Sequence, residues 1–293
     1  MLDNIERVKQ LYSLLNPCRL CPRKCMVDRT AGKTGRCRTG LDVYISSYNI
    51  HNGEEPPISG FSGSGTIFFT NCALSCVFCQ NYPISQLGHG NKVSVERLSQ
   101  IMLELEERGA HNINLVTPTH VAAQAVEALA LARQAGLKIP LVYNSSGYES
   151  VETLKLLEGI VDIYMPDAKY SDPAKSLEYS GAGDYWEANK AALKEMYRQV
   201  GNLVMDKNGL ATKGLIIRHL VLPNDISGVR EVLKFIAEGI SKDVYISLMS
   251  QYHPAHMSHK YPELSKKISK KEYDKALNIL NNLGLANGWV QEL

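Results

Sequence analysis

The sequence predicts an α/β protein with a mostly parallel sheet of six β–α units, preceded by a cysteine-rich metal-binding extension. Three observations predict it. From residue 65 onward, short apolar runs alternate with helical patterns. Those runs lack strict polar alternation, as strands covered on both faces do. All seven cysteines lie before residue 80, four of them within 18–37 and three within 72–79. Six units fall short of the eight of a closed barrel, so a partial barrel and an open doubly wound sheet both fit. In either, functional groups belong at the C-terminal ends of the strands.

The elements follow in order. Residues 1–16 read as one amphipathic helix, with Ile5, Val8, Leu11 and Leu15 on its apolar stripe. Residues 17–40 are rich in Cys, Gly, Arg and Lys and poor in apolar side chains, a composition that suits a small metal-held module. Residues 41–64 contain "HNGEEPPISGFSGSG" and read as loop. This divides the chain into 1–64, a helix and a four-cysteine segment, and 65–293, the β/α body. Strands are expected at 65–70, 112–117, 139–144, 161–166, 214–222 and 243–249. Between them, "SVERLSQIMLELEERG" carries Ser94 at the N-cap and Gly109 past the C-terminus. Helices ending at Gly136 and Gly159 follow, then two over 184–200 and 226–238. The last, 269–284, opens with the capping box Ser269–Glu272.

Bulk composition excludes several classes of function. A net charge of +2 in 293 residues leaves no electrostatic footprint for nucleic acid or an anionic membrane. No run of 18 apolar residues predicts a transmembrane helix. The charged first helix is not a signal peptide, so a cytoplasmic, reducing setting is expected. There, clustered cysteines mean metal or redox chemistry rather than disulfides.

"NCALSCVFCQN" places Cys72, Cys76 and Cys79 directly after the first expected strand. A cubane iron–sulfur cluster takes four thiolates, one per iron. Three would leave one iron open, and an open position marks a reactive site, as in catalytic zinc. Zinc with a fourth ligand from elsewhere is the competing reading. The spacing, with Phe78 before the last cysteine, resembles the radical SAM superfamily signature. "EEPPISG", "NLVTPTH", "YNSSGY", "DIYMPDAKYS", "RHLVLP" and "MSQYHP" extend the likeness to nearly the whole chain. The group resembled is that of uncharacterised proteins similar to pyruvate formate-lyase activating enzymes.

The resemblance implies a partial (β/α)6 barrel with the cluster loop after its first strand. It also implies a [4Fe-4S] cluster whose open iron is chelated by S-adenosyl-L-methionine, and a 5′-deoxyadenosyl radical that abstracts hydrogen. Glycyl radical enzyme activation is one form of that chemistry. The substrate, protein or small molecule, is not specified, and a flavodoxin- or ferredoxin-type electron donor is implied. A redox module without radical catalysis is the alternative of another class.

Strand ends supply the remaining candidates. Where relatives carry a glycine-rich motif for the cofactor's amino group, this chain has Thr117, Pro118 and Thr119; Thr119 could equally cap the next helix. Asn144, Ser145 and Ser146 suit a ribose, or a polar loop with Ser145 or Ser146 as helix cap. Asp167 and Lys169, two residues apart, point the same way on a strand, and resemble the activating enzymes' pair that touches cofactor or substrate. Arg218 carries over as a contact to the cofactor's carboxylate. A charge within an apolar strand needs a partner. Phe78 would sit near the adenine. His253 aligns with the relatives' active-site histidine, whereas His120 reads as structural and His256 and His259 as a polar loop. Cys18, Cys21, Cys25 and Cys37 make a full four-thiolate set, for which zinc and a second iron–sulfur cluster both fit.

Overall fold

The computed structural model describes residues 4–293. The expected first helix spans Asn4–Ser13 (α1), and residues 1–3 of the expectation lie outside the described residues. The next elements are β1 (Val43–His51), α2 (Pro56–Ser59), β2 (Ser64–Phe69), α3 (Tyr82–Ser85), β3 (Asn91–Val93), α4 (Val95–Glu107), β4 (Ile113–Val116) and α5 (Ala122–Gln134). After them come β5 (Leu141–Ser145), α6 (Val151–Leu156), β6 (Ile163–Pro166), α7 (Pro173–Ser180), α8 (Tyr185–Val200), β7 (Val204–Met205) and β8 (Ala211–Leu220). The chain closes with α9 (Val229–Gly239), β9 (Tyr245–Met249), α10 (Lys270–Asn282) and β10 (Gly288–Val290).

The strands form one sheet in the order β10-β9-β8-β6-β5-β4-β2-β1-β3, with β7 beside β8. From β2 to β10 every main-path pairing is parallel, and each new strand is added on the same side. A doubly wound sheet would reverse its strand order partway. This one does not, so a partial, singly wound barrel is the architecture. Its end strands, β10 and β3, do not pair with each other, so the sheet is open.

The two faces carry different cores. Successive side chains on a strand alternate faces. Val142, Ile163, Met165, Ile216 and Tyr245 gather with Ile58 in a small cluster, whereas their neighbours Tyr143, Tyr164, Leu215, Ile217 and Ile246 join the large cluster shared with the helices. The small cluster is the barrel interior. Ile58 sits in α2, between the paired ends of β1 and β2 where His51 faces Ser64, and plugs the N-terminal mouth.

Three expectations need correction. Residues 43–51 are not loop: β1 pairs antiparallel with β2 over six positions and joins the same sheet as the body. A seventh parallel strand, β10, extends the six. The segment 173–180 is a helix, with Asp172 accepting from Ala174 N, Pro173 in the first turn and left-handed Gly181 after it. Elsewhere the expected signals act as read. Ser94 Oγ accepts from Arg97 N at 3.1 Å, and the Ser269–Glu272 capping box forms.

Candidate active site at the C-terminal ends of the strands

The loop after β2 carries Cys72, Cys76 and Cys79. It turns at Asn71, whose φ of +69° is left-handed. Three neighbours hold it. Ser75 N and Val77 N donate to Ser180 O and Tyr179 O at the end of α7, at 3.1 and 2.8 Å. Met257 N, after β9, donates to Val77 O at 2.8 Å. Gln80 Nε2 donates to Gln251 O at 3.2 Å and lies 3.1 Å from His253 Nδ1.

Each sulfur is met by a hydrogen-bonding group. Leu74 N donates to Cys72 Sγ at 3.4 Å and Ser180 Oγ to Cys76 Sγ at 3.0 Å, while Ser85 Oγ lies 3.1 Å from Cys79 Sγ. Burial pushes the Cys72 thiol up to about 12 and the Cys76 thiol up to about 11. Such sulfurs ionise near neutrality only when a cation binds them, so proton release and metal binding are coupled. Among the described residues no three His, Cys, Asp or Glu side chains gather so as to hold one metal ion, either at this loop or among Cys18, Cys21, Cys25 and Cys37. A single zinc takes its thiolates at about 2.3 Å from one point. A cubane takes one thiolate per iron and spreads them. The donor set, three soft ligands on a strand-end loop with hydrogen bonds to sulfur, fits an iron–sulfur cluster.

Beside the loop lies a buried charge network. Lys169 Nζ is 2.6 Å from Asp167 Oδ2, and Arg218 Nε is 2.9 Å from Asp167 Oδ1. Arg218 Nη2 donates to Asn144 Oδ1 at 2.6 Å, and its Nη1 lies 3.6 Å from Glu54 Oε2. Burial would raise the Asp167 carboxyl, but the charges of Arg218 and Lys169 outweigh it and hold the group below its usual range. Burial would lower Lys169, but Asp167 and Cys76 outweigh it and keep the ammonium charged. Glu54 goes the other way: burial raises its carboxyl, and Arg218 offsets only part. Arg218 therefore has the partner that a charge within an apolar strand needs, inside the barrel.

Gly147 and Tyr185 set the position of Asp167. Tyr185 Oη donates to Asp167 O at 3.0 Å and Asn189 Nδ2 does so at 2.9 Å. At Gly147, φ is +69° and a Cβ would stand 2.1 Å from Asp167 O, so only glycine fits.

The other candidates divide. Phe78 is buried, edge-on to Tyr170 and Tyr252 at 6.4 and 5.8 Å. Thr117, at the end of β4, has the left-handed φ of +62°, unusual for a β-branched residue. Thr119 does not cap α5. Its hydroxyl donates to buried Glu149 Oε1 at 2.5 Å. Ser146 accepts from Tyr185 Oη through its backbone oxygen at 2.8 Å. Neither Ser145 nor Ser146 caps α6, which begins after Ser150. His253 is exposed and also borders a cleft of ≈ 740 Å³ lined by Gln251, Tyr252, Lys267 and Trp289. His120 is buried, donates from Nε2 to Thr70 O at 2.7 Å and is lowered to about 4 by burial. Two carboxylates escaped sequence reading. Glu54 lies in a turn-rich run with no strand-end signal, and Glu149 in "SSGYES" looks like solvated loop.

The four-cysteine segment touches this face through Arg23. Cys18, Cys21 and Cys37 are buried and Cys25 is partly exposed. Arg23, among them, donates from Nε to Ala73 O at 3.0 Å, within the cluster loop.

Comparison with known proteins agrees with the geometry. Residues 66–206 match the family model described as the radical SAM superfamily. An uncharacterized protein of Methanocaldococcus jannaschii is 28% identical over 291 residues, covering 95% of this chain and 78% of that protein. Among solved structures, Streptococcus suis SuiB bound to the precursor peptide SuiA aligns with a TM-score of 0.53 at 13% identity. That alignment covers 76% of this chain and 47% of that one. The chain thus spans about half the length of this solved structure, which shows a shared fold. No helix among the described residues is long and apolar enough to cross a membrane.

Proposed function

Residues 66–206 belong to the radical SAM superfamily, and from that premise we propose that Cys72, Cys76 and Cys79 hold a [4Fe-4S] cluster that works with S-adenosyl-L-methionine in hydrogen abstraction. The carrying observation is the convergence of three hydrogen-bonded thiols with the Asp167–Lys169–Arg218 network on one strand-end face. When bound, a reduced cluster would supply one electron to the cofactor's sulfonium, whose S–C5′ bond would break to give methionine and a 5′-deoxyadenosyl radical.

The chain's residues orient and enclose. Arg218 and Lys169 hold two fixed positive charges where a carboxylate-bearing ligand would lie, and Asp167 and Glu54 keep them in place. Asn144 fixes the plane of the guanidinium. Phe78, packed on Tyr170 and Tyr252, excludes water behind the loop. Thr117 and Ser146 line the adjoining strand ends. His253, beside Gln80 and the ≈ 740 Å³ cleft, stands on the substrate side.

The finer reading is activation of a glycyl radical enzyme, with hydrogen taken from a backbone glycine of a partner protein. The likeness of Asp167-x-Lys169, Arg218 and His253 to the activating enzymes' motifs supports it. A small reduced iron–sulfur or flavin protein would serve as electron donor. Cys18, Cys21, Cys25 and Cys37 would hold a second metal, zinc or an auxiliary cluster.

The test is anaerobic. The protein is loaded with iron and sulfide, its iron, sulfide and zinc are counted, and 5′-deoxyadenosine is assayed after reduction with S-adenosyl-L-methionine present. Formation that vanishes in Cys76→Ala supports the proposal. A cluster whose spectrum ignores S-adenosyl-L-methionine, with no cleavage, would make the protein a redox module. About eight irons, as two cubanes hold, would place a second cluster at the early cysteines.

A further inference from the structure

Segment 18–39 reaches the supports of all three cluster-loop thiols. Arg23 does most of it. Its Nε donates to Ala73 O, next to Cys72, at 3.0 Å, and its Nη1 to Gly181 O at 2.5 Å. Gly181 follows Ser180, whose hydroxyl donates to Cys76 Sγ. Arg38 Nη2 donates to Ser85 O at 3.0 Å, its Nη1 bonds Gln86 O, and the Ser85 hydroxyl contacts Cys79 Sγ. Asn71, the left-handed residue before Cys72, donates to Thr39 Oγ1 at 3.3 Å.

A row of rings carries the same guanidinium further. Arg23 lies over the Tyr148 ring at 5.3 Å. Tyr148 stacks on Tyr185 at 6.0 Å, Tyr185 meets Tyr170 edge-on at 5.7 Å, and Tyr170 meets Phe78 of the loop at 6.4 Å. Tyr170 Oη is also 2.8 Å from Ser180 Oγ.

The segment that presents these arginines is irregular and strained. Lys24, Met26 and Arg38 have φ of +40°, +57° and +57°, positions that non-glycine residues hold only when their surroundings require it. Backbone N–H groups donating to its cysteines set its path: Lys24 N to Cys21 O at 3.1 Å, Met26 N to Cys18 O at 3.0 Å and Arg36 N to Cys25 Sγ at 3.3 Å.

We propose that the four-cysteine segment is a clamp for the cluster loop, with Arg23 and Arg38 as the residues that position Cys72, Cys76 and Cys79. The link rests on the radical SAM reading only for what the loop holds; the clamp itself is a property of the polypeptide. Arginine is required because its planar fork points two donors at two carbonyls while its face rests on a ring, which an ammonium does not reproduce.

The test uses the full chain with Arg23→Ala, Arg23→Lys and Arg38→Ala. Amide hydrogen exchange over 71–81 is read in the metal-free protein. After anaerobic loading, the iron retained through desalting and the spin-resonance spectrum of the reduced protein are read. Arg23→Ala is expected to speed exchange across 71–81 by about tenfold or more, with α10 unchanged, since local opening then falls below global unfolding. It should also release iron faster and alter the spectrum, and Arg23→Lys should restore neither. Arg38→Ala should act most strongly near Cys79. Exchange and spectra matching wild type in both alanine variants would overturn the clamp. If wild type itself takes up no iron, the radical reading falls while the exchange result still decides the clamp. Should Arg23→Ala fail to fold, Arg38→Ala alone carries the decision.

Discussion

Arg218 Nε stands 2.9 Å from Asp167 Oδ1, and the two residues also bridge backbone to backbone where β8 passes the end of β6. Two residues far apart in sequence are thereby locked into one surface of the barrel interior. Removing Arg218 leaves Asp167 with Lys169 as its one paired cation and breaks up a buried network. Arg218→Met is therefore expected to cost about 3–5 kcal/mol. Because Glu54 is also left without its cation, adding Glu54→Gln should recover part of that loss. Urea denaturation of the two singles and the double measures it. Strict additivity would show that Glu54 and Arg218 do not interact.

Gly147→Ala probes how tightly Asp167 is placed. A Cβ there collides with Asp167 O at 2.1 Å and Asn189 Nδ2 at 2.3 Å, whereas one at Gly136, also at positive φ, meets nothing within 4 Å. Backbone strain alone costs about 1–3 kcal/mol at either site. Gly147→Ala should lose stability beyond that and lower 5′-deoxyadenosine formation, while Gly136→Ala should lose stability only. Equal behaviour of the two variants would refute the steric argument.

Ser180→Ala removes the hydroxyl that donates to Cys76 Sγ at 3.0 Å. Hydrogen bonds to cluster sulfurs help set the reduction potential. Losing one leaves more negative charge on sulfur, so the potential should move downward in a spectroscopic redox titration. An upward shift, or none, would mean that this bond is not made to the loaded site.

Glu149 gives a pH signature. Burial raises its carboxyl to about 7 from an ordinary 4.5, despite bonds from Thr119, Ser145 and Tyr143. Between those two values the unfolded chain releases a proton that the folded chain keeps. Stability therefore declines as pH rises from about 4.5 to about 7 and is level above, by about 3 kcal/mol in all. Glu149→Gln abolishes the titration. Its stability relative to wild type should grow by that amount between pH 4.5 and 8, read by urea denaturation. A pH-independent difference would place Glu149 in a more polar setting.

Much of this was legible in the chain. The six parallel strands announce themselves because burial on both faces demands unbroken apolar runs, and the cysteine spacing after the first of them carries the chemistry. The α7 signals, Asp172, Pro173 and Gly181, are present too, in a helix of only eight residues. β1 was obscured because its half-exposed pattern runs straight into "HNGEEPP".

Residue type and local spacing were enough to set the alternation of elements, the likeness to a family over 66–206 and the three-thiol loop. Which charges meet depends on the folded chain. Glu54 comes from the N-terminal mouth to Arg218, Glu149 takes the hydroxyl of Thr119, and Arg23 crosses from the early cysteines to the cluster loop. Those pairings join residues 30 to 164 positions apart. The barrel's register brings them together, and no local pattern can encode that.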